Sequence, residues 1–282
     1  ERYRDACWLY EKRLELAGSD PEAWHRYGRA LINRDLWSKG YAAWEKGAEV
    51  ARNQGVAHEE LNTLMEAKKY FRGAGPAEGS GEGAEDRGAA LEYGEFGERH
   101  LCDDAFLIRS EVMALSDCGK IIDEAEAHAR ERNGWSTKRH YSVPTTDIPA
   151  HALESTLALL NTCLQERIFP AISHKFGEEM ADLQVHDAFV IKYSMQGQKF
   201  LPIHTDQSHY SATIGLNSLS EYEGGGIVFV GETGEEEDER VVRVEAGKAI
   251  IFRGGEVSHG GKQIASGTRY IIALFIFSNA AK

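Results

Sequence analysis

The sequence predicts an α+β protein: an antiparallel jelly-roll β-sandwich with flanking helices, preceded by an all-α, repeat-like region. Three observations predict it. Apolar and aromatic residues recur three and four positions apart through residues 1–73; residues 74–98 are acidic and glycine-rich; and from Leu183 short β-branched and aromatic runs alternate with glycine-containing turns. The 282 residues, 42% hydrophobic and 27% charged, suffice for one large or two modest domains with a proper core.

In chain order, Pro21 beside Asp20 marks a natural helix start within residues 1–73. DPEAWHRYGRAL places Trp24, Tyr27, Gly28 and Leu31 at the offsets of the first helix of a tetratricopeptide repeat, and GYAAWEKGAEVA supplies a second helix with Ala43, Trp44 and Gly47. Steps of 34 residues lead back from Trp44 to Tyr10, and forward from Trp24, Tyr27 and Leu31 to His58, Leu61 and Met65. This is similar to one good repeat flanked by two partial ones, with a plain helical bundle as the alternative. Either way the region offers a packing or partner-binding surface, with room for a protein partner. Residues 74–98 hold seven acids and one base and have too little apolar surface to offset their ordering entropy, so a mobile linker is expected there. The third region, 99–282, begins with helical stretches at Ser116–Arg132 and about Ala150–Phe176, the latter interrupted at Pro170. The runs LQVHDAFVIKY, YSATIGLNSL, GIVFV, RVVRVE, KAIIF and RYIIALFIF then follow as strands with no helix between them.

Composition excludes some functions. The longest unbroken apolar run, Ile271 to Phe277, is far short of the roughly 20 residues that cross a bilayer, so no membrane span is expected. Cys7, Cys102, Cys118 and Cys163 form no C-x-x-C pair and are too few for a disulfide framework, so they read as free thiols; cytoplasm or nucleus is favoured over a secretory lumen. The chain starts at Glu1 with no methionine or signal-peptide pattern, as a trimmed segment would. The net charge of -13 argues against a polyanionic partner, but residues 74–98 contribute -6 and residues 231–240 contribute -5, which leaves -2 elsewhere. Nucleic acid therefore stays among the partners that charge alone does not exclude. Residues 241–282 hold six bases and two acids, which suits an anionic ligand.

The chemistry is carried by His204-Thr205-Asp206, by His259, which lies 53 residues after Asp206, and by Arg269, ten residues later. Two imidazoles and a carboxylate that leave open positions form the facial triad of non-haem iron(II) sites. A His and an Asp two apart on an extended segment project to one side, and a histidine on a neighbouring strand completes the set.

With the segments KYSMQGQKFLPIHTDQSHYSATIGLN, YEGGGIVFV, GKAIIFRGGEVSHGG and GTRYIIALF, the chain resembles the Fe(II)/2-oxoglutarate dioxygenases. Among these it is most like the prolyl and lysyl hydroxylases, and in particular the catalytic domain of the procollagen lysyl hydroxylases. The likeness covers residues 186–277 and extends more weakly back to Leu107. It implies a double-stranded β-helix core, His204, Asp206 and His259 as iron ligands, and Arg269 as partner of the distal carboxylate of 2-oxoglutarate. Tyr193 and Thr213 would also contact that cosubstrate. Fe(II), 2-oxoglutarate and O2 are the implied cofactors, with ascorbate as reductant, and a peptide or protein bearing proline or lysine is the implied substrate. Many prolyl hydroxylases carry a tyrosine where this chain has Gly215, which weakens transfer of prolyl specificity. Hydroxylation or demethylation of a free amino acid or a nucleobase, and a repeat-domain adaptor with an inactive oxygenase domain, remain as alternatives.

Several residues near the motifs carry a structural expectation. Gly224, Gly225 and Gly226 are expected to permit a tight turn and close strand approach. His209, His186 and Asp187 read as ordinary strand or loop residues, and Lys192, Lys262 and Thr268 as strand-end or surface positions. The segment from Trp135 to Pro149 is expected to border the substrate cleft, with Trp135, Arg139 and Tyr141 able to hold a peptide; a packed connection stiffened by Pro144 and Pro149 is the alternative.

Overall fold

The computed structural model describes residues 2–32, 34, 36–58, 61–62, 65, 93–94, 104–132, 134–137, 143–231 and 239–279. The helical region opens with α1 (Arg2–Leu16), α2 (Pro21–Ile32) and α3 (Trp37–Asn53). A β-carbon on Gly28 would lie 2.3 Å from Trp44 Nε1 and 2.8 Å from the Gly40 carbonyl, so only glycine lets α2 and α3 approach this closely. The indole uses that closeness, donating its Nε1 hydrogen to the His25 carbonyl at 2.9 Å.

Strands β1 (Tyr93–Gly94) and β2 (Ala105–Ile108) lead to α4 (Leu115–Glu131). The sheet thus takes in two residues of the stretch whose composition suggests a linker; the rest of 74–98 lies outside the described residues. After β3 (Asp147–Pro149) come α5 (Glu154–Cys163) and α6 (Phe169–Phe176), joined by a π-helical turn at Leu164–Ile168. Pro170 sits in the first turn of α6, where its missing N–H is not needed, so the expected interruption becomes a widened turn ahead of it.

The remaining strands are β4 (Leu183–Ser194), β5 (Leu201–His204), β6 (Tyr210–Gly215), β7 (Tyr222–Gly224), β8 (Ile227–Phe229), β9 (Arg240–Val242), β10 (Ala249–Arg253), β11 (His259–Gly261) and β12 (Ile264–Ser278). They form two antiparallel sheets. The larger runs β1-β2-β10-β6-β12-β4-β3, with β7 paired to β12, and the smaller runs β5-β11-β8-β9. Strand periodicity sorts the side chains: Ala188, Val190, Ile272, Leu274 and Ile276 face outward and join Ile121, Leu160, Leu164 and Ile172 of the helices in one core. Phe189, Ile191, Tyr193, Ile271 and Ala273 face inward, toward the smaller sheet.

The helical region docks on the far end of β4 and β12. Tyr41 stacks on Phe277 with ring centroids 4.3 Å apart, and Trp44 stacks on His186 at 5.1 Å. A hydrogen bond of 2.5 Å between the Tyr41 hydroxyl and His186 Nδ1 closes the contact. Among the described residues no helix is long and apolar enough to cross a membrane. Cys7, Cys118 and Cys163 are buried and free, and burial pushes the thiols of Cys118 and Cys163 up to about 11 and about 12, which makes them poor nucleophiles.

Candidate active site

His204 ends β5 and pairs in register with His259, which begins β11; Asp206 follows in the loop to β6. The Asp206 amide donates to the Gly254 carbonyl at 2.8 Å, and its carboxylate accepts a 2.6 Å bond from Ser211 Oγ, so the loop has little freedom. Asp206 Oδ1 lies 3.2 Å from His204 Nε2 and Oδ2 lies 3.4 Å from His259 Nε2, with the three donor atoms all within 4.8 Å of one another. Each imidazole turns Nδ1 to a backbone carbonyl two residues before it, His204 to Pro202 at 2.7 Å and His259 to Val257 at 3.0 Å. A carbonyl only accepts, so Nδ1 carries a hydrogen directed to the backbone, and Nε2 is the nitrogen turned toward Asp206. Such outer hydrogen bonds fix the tautomer of metal-ligating histidines.

Electrostatics fit a cation there. Burial would raise the pKa of Asp206, yet hydrogen bonds involving His204, His259 and Ser211 hold it well below the usual carboxylate range. Burial likewise opposes a charged His204, and the bond to Asp206 overcomes it and raises the imidazole. The donor set is anionic, converging and open on one side, which suits a divalent metal with open positions.

Glu22, His25 and His58 form a second cluster of metal-ligand types, but its protons are arranged differently. His58 Nδ1 accepts from the Leu61 amide at 3.4 Å, which leaves the hydrogen on Nε2, 3.1 Å from Glu22 Oε2. That imidazole is committed as a donor, and the cluster reads as a hydrogen-bonded brace between α2 and the segment after α3.

A cavity of about 600 Å³ opens onto the triad and is lined by Tyr193, Thr213 and Arg269 as well. Arg269 faces Tyr193 across the β12–β4 ladder, and its guanidinium lies 5.2 Å from that ring. Nη1 donates to the Gly226 carbonyl at 3.3 Å, while the buried Nη2 has no partner. A buried guanidinium nitrogen left unsatisfied beside the cavity fits a carboxylate, for which its planar fork is suited. Gly224, Gly225 and Gly226, at φ of 69°, 66° and 113°, make the turn that brings the Gly226 carbonyl to Arg269.

Gly215 accounts for the absent tyrosine. A β-carbon there would lie 2.5 Å from the Glu245 carbonyl and 2.6 Å from that of Val244, so the segment before β10 occupies the space a side chain would need.

Trp135 corrects an expectation. It packs 6.1 Å from Tyr270 under Lys192, against the helix-facing core, because Tyr270 is an outward position of β12. It does not line the cavity. Val143 and Thr145, later in the same loop, do, while Arg139 and Tyr141 lie outside the described residues. Sequence reading also passed over His25, Arg29 and Trp44 of α2 and α3, and His58 after them, as residues that line the cavity. No local pattern signals that role, since it arises from docking of one region on another.

Residues 188–277 match the sequence profile of the 2OG-Fe(II) oxygenase superfamily. The human "Procollagen-lysine,2-oxoglutarate 5-dioxygenase 2" is 27% identical over 186 residues, which are 62% of this chain and 24% of the relative. A Xenopus tropicalis "2-oxoglutarate and iron-dependent oxygenase domain-containing protein 2" is 28% identical over 181 residues, 63% of this chain and 50% of the relative. The chain therefore spans about a quarter of one curated relative and half of the other. A solved prolyl-4-hydroxylase from Pseudomonas putida superposes with a TM-score of 0.41 at 19% identity, covering 59% of this chain and 89% of that one.

Proposed function

Residues 188–277 form a 2OG-Fe(II) oxygenase domain, and from that premise we propose that the protein hydroxylates an unactivated C–H bond of a peptidyl lysine or proline. When bound, iron(II) with 2-oxoglutarate and O2 supplies the oxidising power that converts C–H to C–OH, with succinate and CO2 as coproducts. The chain's own residues position and exclude. His204, Asp206 and His259 would hold the metal, and the carbonyls of Pro202 and Val257 keep both imidazoles aimed. Arg269 would bind the distal carboxylate of 2-oxoglutarate, with Tyr193 and Thr213 beside it in the cavity. Phe189, Ile191, Phe275 and Ala273 keep the interior apolar and so limit water near the reacting carbon.

The observation that carries this reading is the pairing of a converging His-Asp-His set with a buried, half-satisfied guanidinium in one cavity. We read α1–α3 as a tetratricopeptide-like array that supplies part of the cavity wall and a surface for a protein partner; the packing of α2 on α3 around Gly28 supports it. The test is mass spectrometry of a peptide panel incubated with the protein, Fe(II), 2-oxoglutarate, ascorbate and air. A product heavier by one oxygen atom on lysine or proline is expected. Oxygen on a free amino acid or nucleobase alone would redirect the substrate assignment.

A further inference from the structure

We propose that Ser208 and Ser211 form a buried relay of two hydroxyls that positions Asp206, with Ser208 acting on the metal-binding set only through Ser211. The inference rests on the oxygenase reading above and adds to it a positioning residue one step removed from the ligands.

Backbone pairing brings the relay together. Ser208 lies two residues after Asp206 in the loop that leads to β6, and Ser211 is the second residue of β6. Three backbone bonds stitch this loop to the turn after β10. The Asp206 amide donates to the Gly254 carbonyl at 2.8 Å, the Gly254 amide to the His209 carbonyl at 3.1 Å, and the Gly255 amide to the Ser208 carbonyl at 2.9 Å. Each serine is 2% exposed; Ser211 is among the residues that line the cavity, and Ser208 is not.

The direction of the relay follows from counting hydrogens. The Asp206 carboxylate, held ionised, only accepts, so the Ser211 hydroxyl directs its single hydrogen to Oδ2 at 2.6 Å. In the 2.8 Å contact between Ser208 Oγ and Ser211 Oγ the donor is therefore Ser208. A hydroxyl that accepts one bond donates a stronger one, so Ser208 strengthens the bond from Ser211 to the carboxylate. With Ser208 removed, the Ser211 oxygen loses that donor at a buried position. Fixing Oδ2 while Oδ1 stays turned to His204 Nε2 at 3.2 Å sets the rotation of the carboxylate, and with it the direction in which the set presents its negative charge.

Gly254 makes the room. A β-carbon there would lie 2.1 Å from Ser208 Oγ, 2.5 Å from Ser211 Oγ and 3.2 Å from the Asp206 β-carbon. Its φ is not positive, so packing against the relay, rather than backbone conformation, calls for glycine.

The experiment is a double-mutant cycle read by calorimetric titration of Mn(II), with circular dichroism checking each fold. Ser208→Ala is expected to weaken Mn(II) binding about three- to fivefold and Ser211→Ala about tenfold. The double variant is expected to lie within about twofold of Ser211→Ala, because Ser208 has no route to the metal once Ser211 is gone. A merely structural Ser208 would lower stability and leave affinity alone. Should Ser208→Ala fail to fold, Ser208→Cys, similar in size but a weaker donor, is expected to weaken binding at least twofold and decides in its place. Unchanged affinity in the folded Ser208 variant, or effects that multiply in the double variant, would overturn the proposal. Asp206→Ala is titrated alongside. If it loses Mn(II) binding while the Ser208 variants keep it in full, the proposal alone fails; if it binds as tightly as the unaltered protein, or neither binds, the metal-centre reading fails and the proposal with it.

Discussion

Arg269 sits directly opposite Tyr193 in the β12–β4 ladder, with its guanidinium 5.2 Å from the tyrosine ring and Nη2 buried without a partner. The ring holds the cation by its face while the free edge of the guanidinium points into the cavity. Arg269→Lys keeps the charge but loses the fork, so the KM for 2-oxoglutarate should rise at least tenfold with a smaller change in kcat. Initial rates of succinate formation against 2-oxoglutarate concentration check this; an unchanged KM would remove Arg269 from the cosubstrate site.

Ser211 holds Asp206 through Oδ2, the oxygen that also faces His259. Ser211→Ala should therefore weaken divalent-metal binding about tenfold, the usual scale for losing an outer-shell bond. Calorimetry with Mn(II) reads this without turnover, and unaltered affinity would show that the bond does not orient the carboxylate.

The His25 imidazole carries a pH prediction for stability. Burial, with the neighbouring His58, pushes it down from 6.5 to about 4. Between those values the unfolded chain binds a proton that the folded one refuses, so this residue makes stability fall as pH drops from 6.5 toward 4, by about 3 kcal/mol at most. Urea denaturation across this range should show the fall, and His25→Gln should flatten it. An equally steep profile in the variant would assign the acid sensitivity elsewhere.

Trp44 fills the contact between α2, α3 and β4, stacking on His186 and lining the cavity. Trp44→Ala should destabilise the fold by about 3–5 kcal/mol. It should also raise the KM for a peptide substrate more than that for 2-oxoglutarate, because it opens the outer wall and leaves Arg269 in place. Denaturant melts and paired KM measurements test the two halves separately.

Much of the site was legible because the segments around His204, Asp206, His259 and Arg269 resemble those of the Fe(II)/2-oxoglutarate dioxygenases; the spacing of His204 and Asp206 alone is a weak signal. Arg269 stands on a strand opposite Tyr193, whereas Asp206 lies in the loop after β5 rather than on the extended segment that ends at His204. Periodicity gave the helices and the longer strands, while the short strands β1, β2, β3, β5, β7 and β11 carry too few residues to show alternation. What escaped depends on register and docking. A bulge at His186 exists only in the pairing of β4 with β12, so alternation along β4 alone does not show that Asp187 lines the cavity. Trp135 looked like a cleft residue by composition, and only the outward parity of Tyr270 shows which side of the sheet it covers. The part of the wall formed by His25, Arg29, Trp44 and His58 follows from the stacking of Tyr41 on Phe277, a contact spanning most of the chain.

The His204–Asp206–His259 set and Arg269 are expected to act together on one cosubstrate, and succinate release measures that most directly. With Fe(II), ascorbate and O2, the protein should convert 2-oxoglutarate to succinate, and Asp206→Ala should reduce the rate at least a hundredfold while keeping the fold. No Fe(II)-dependent succinate from the unaltered protein, or an equal rate from Asp206→Ala, would contradict it.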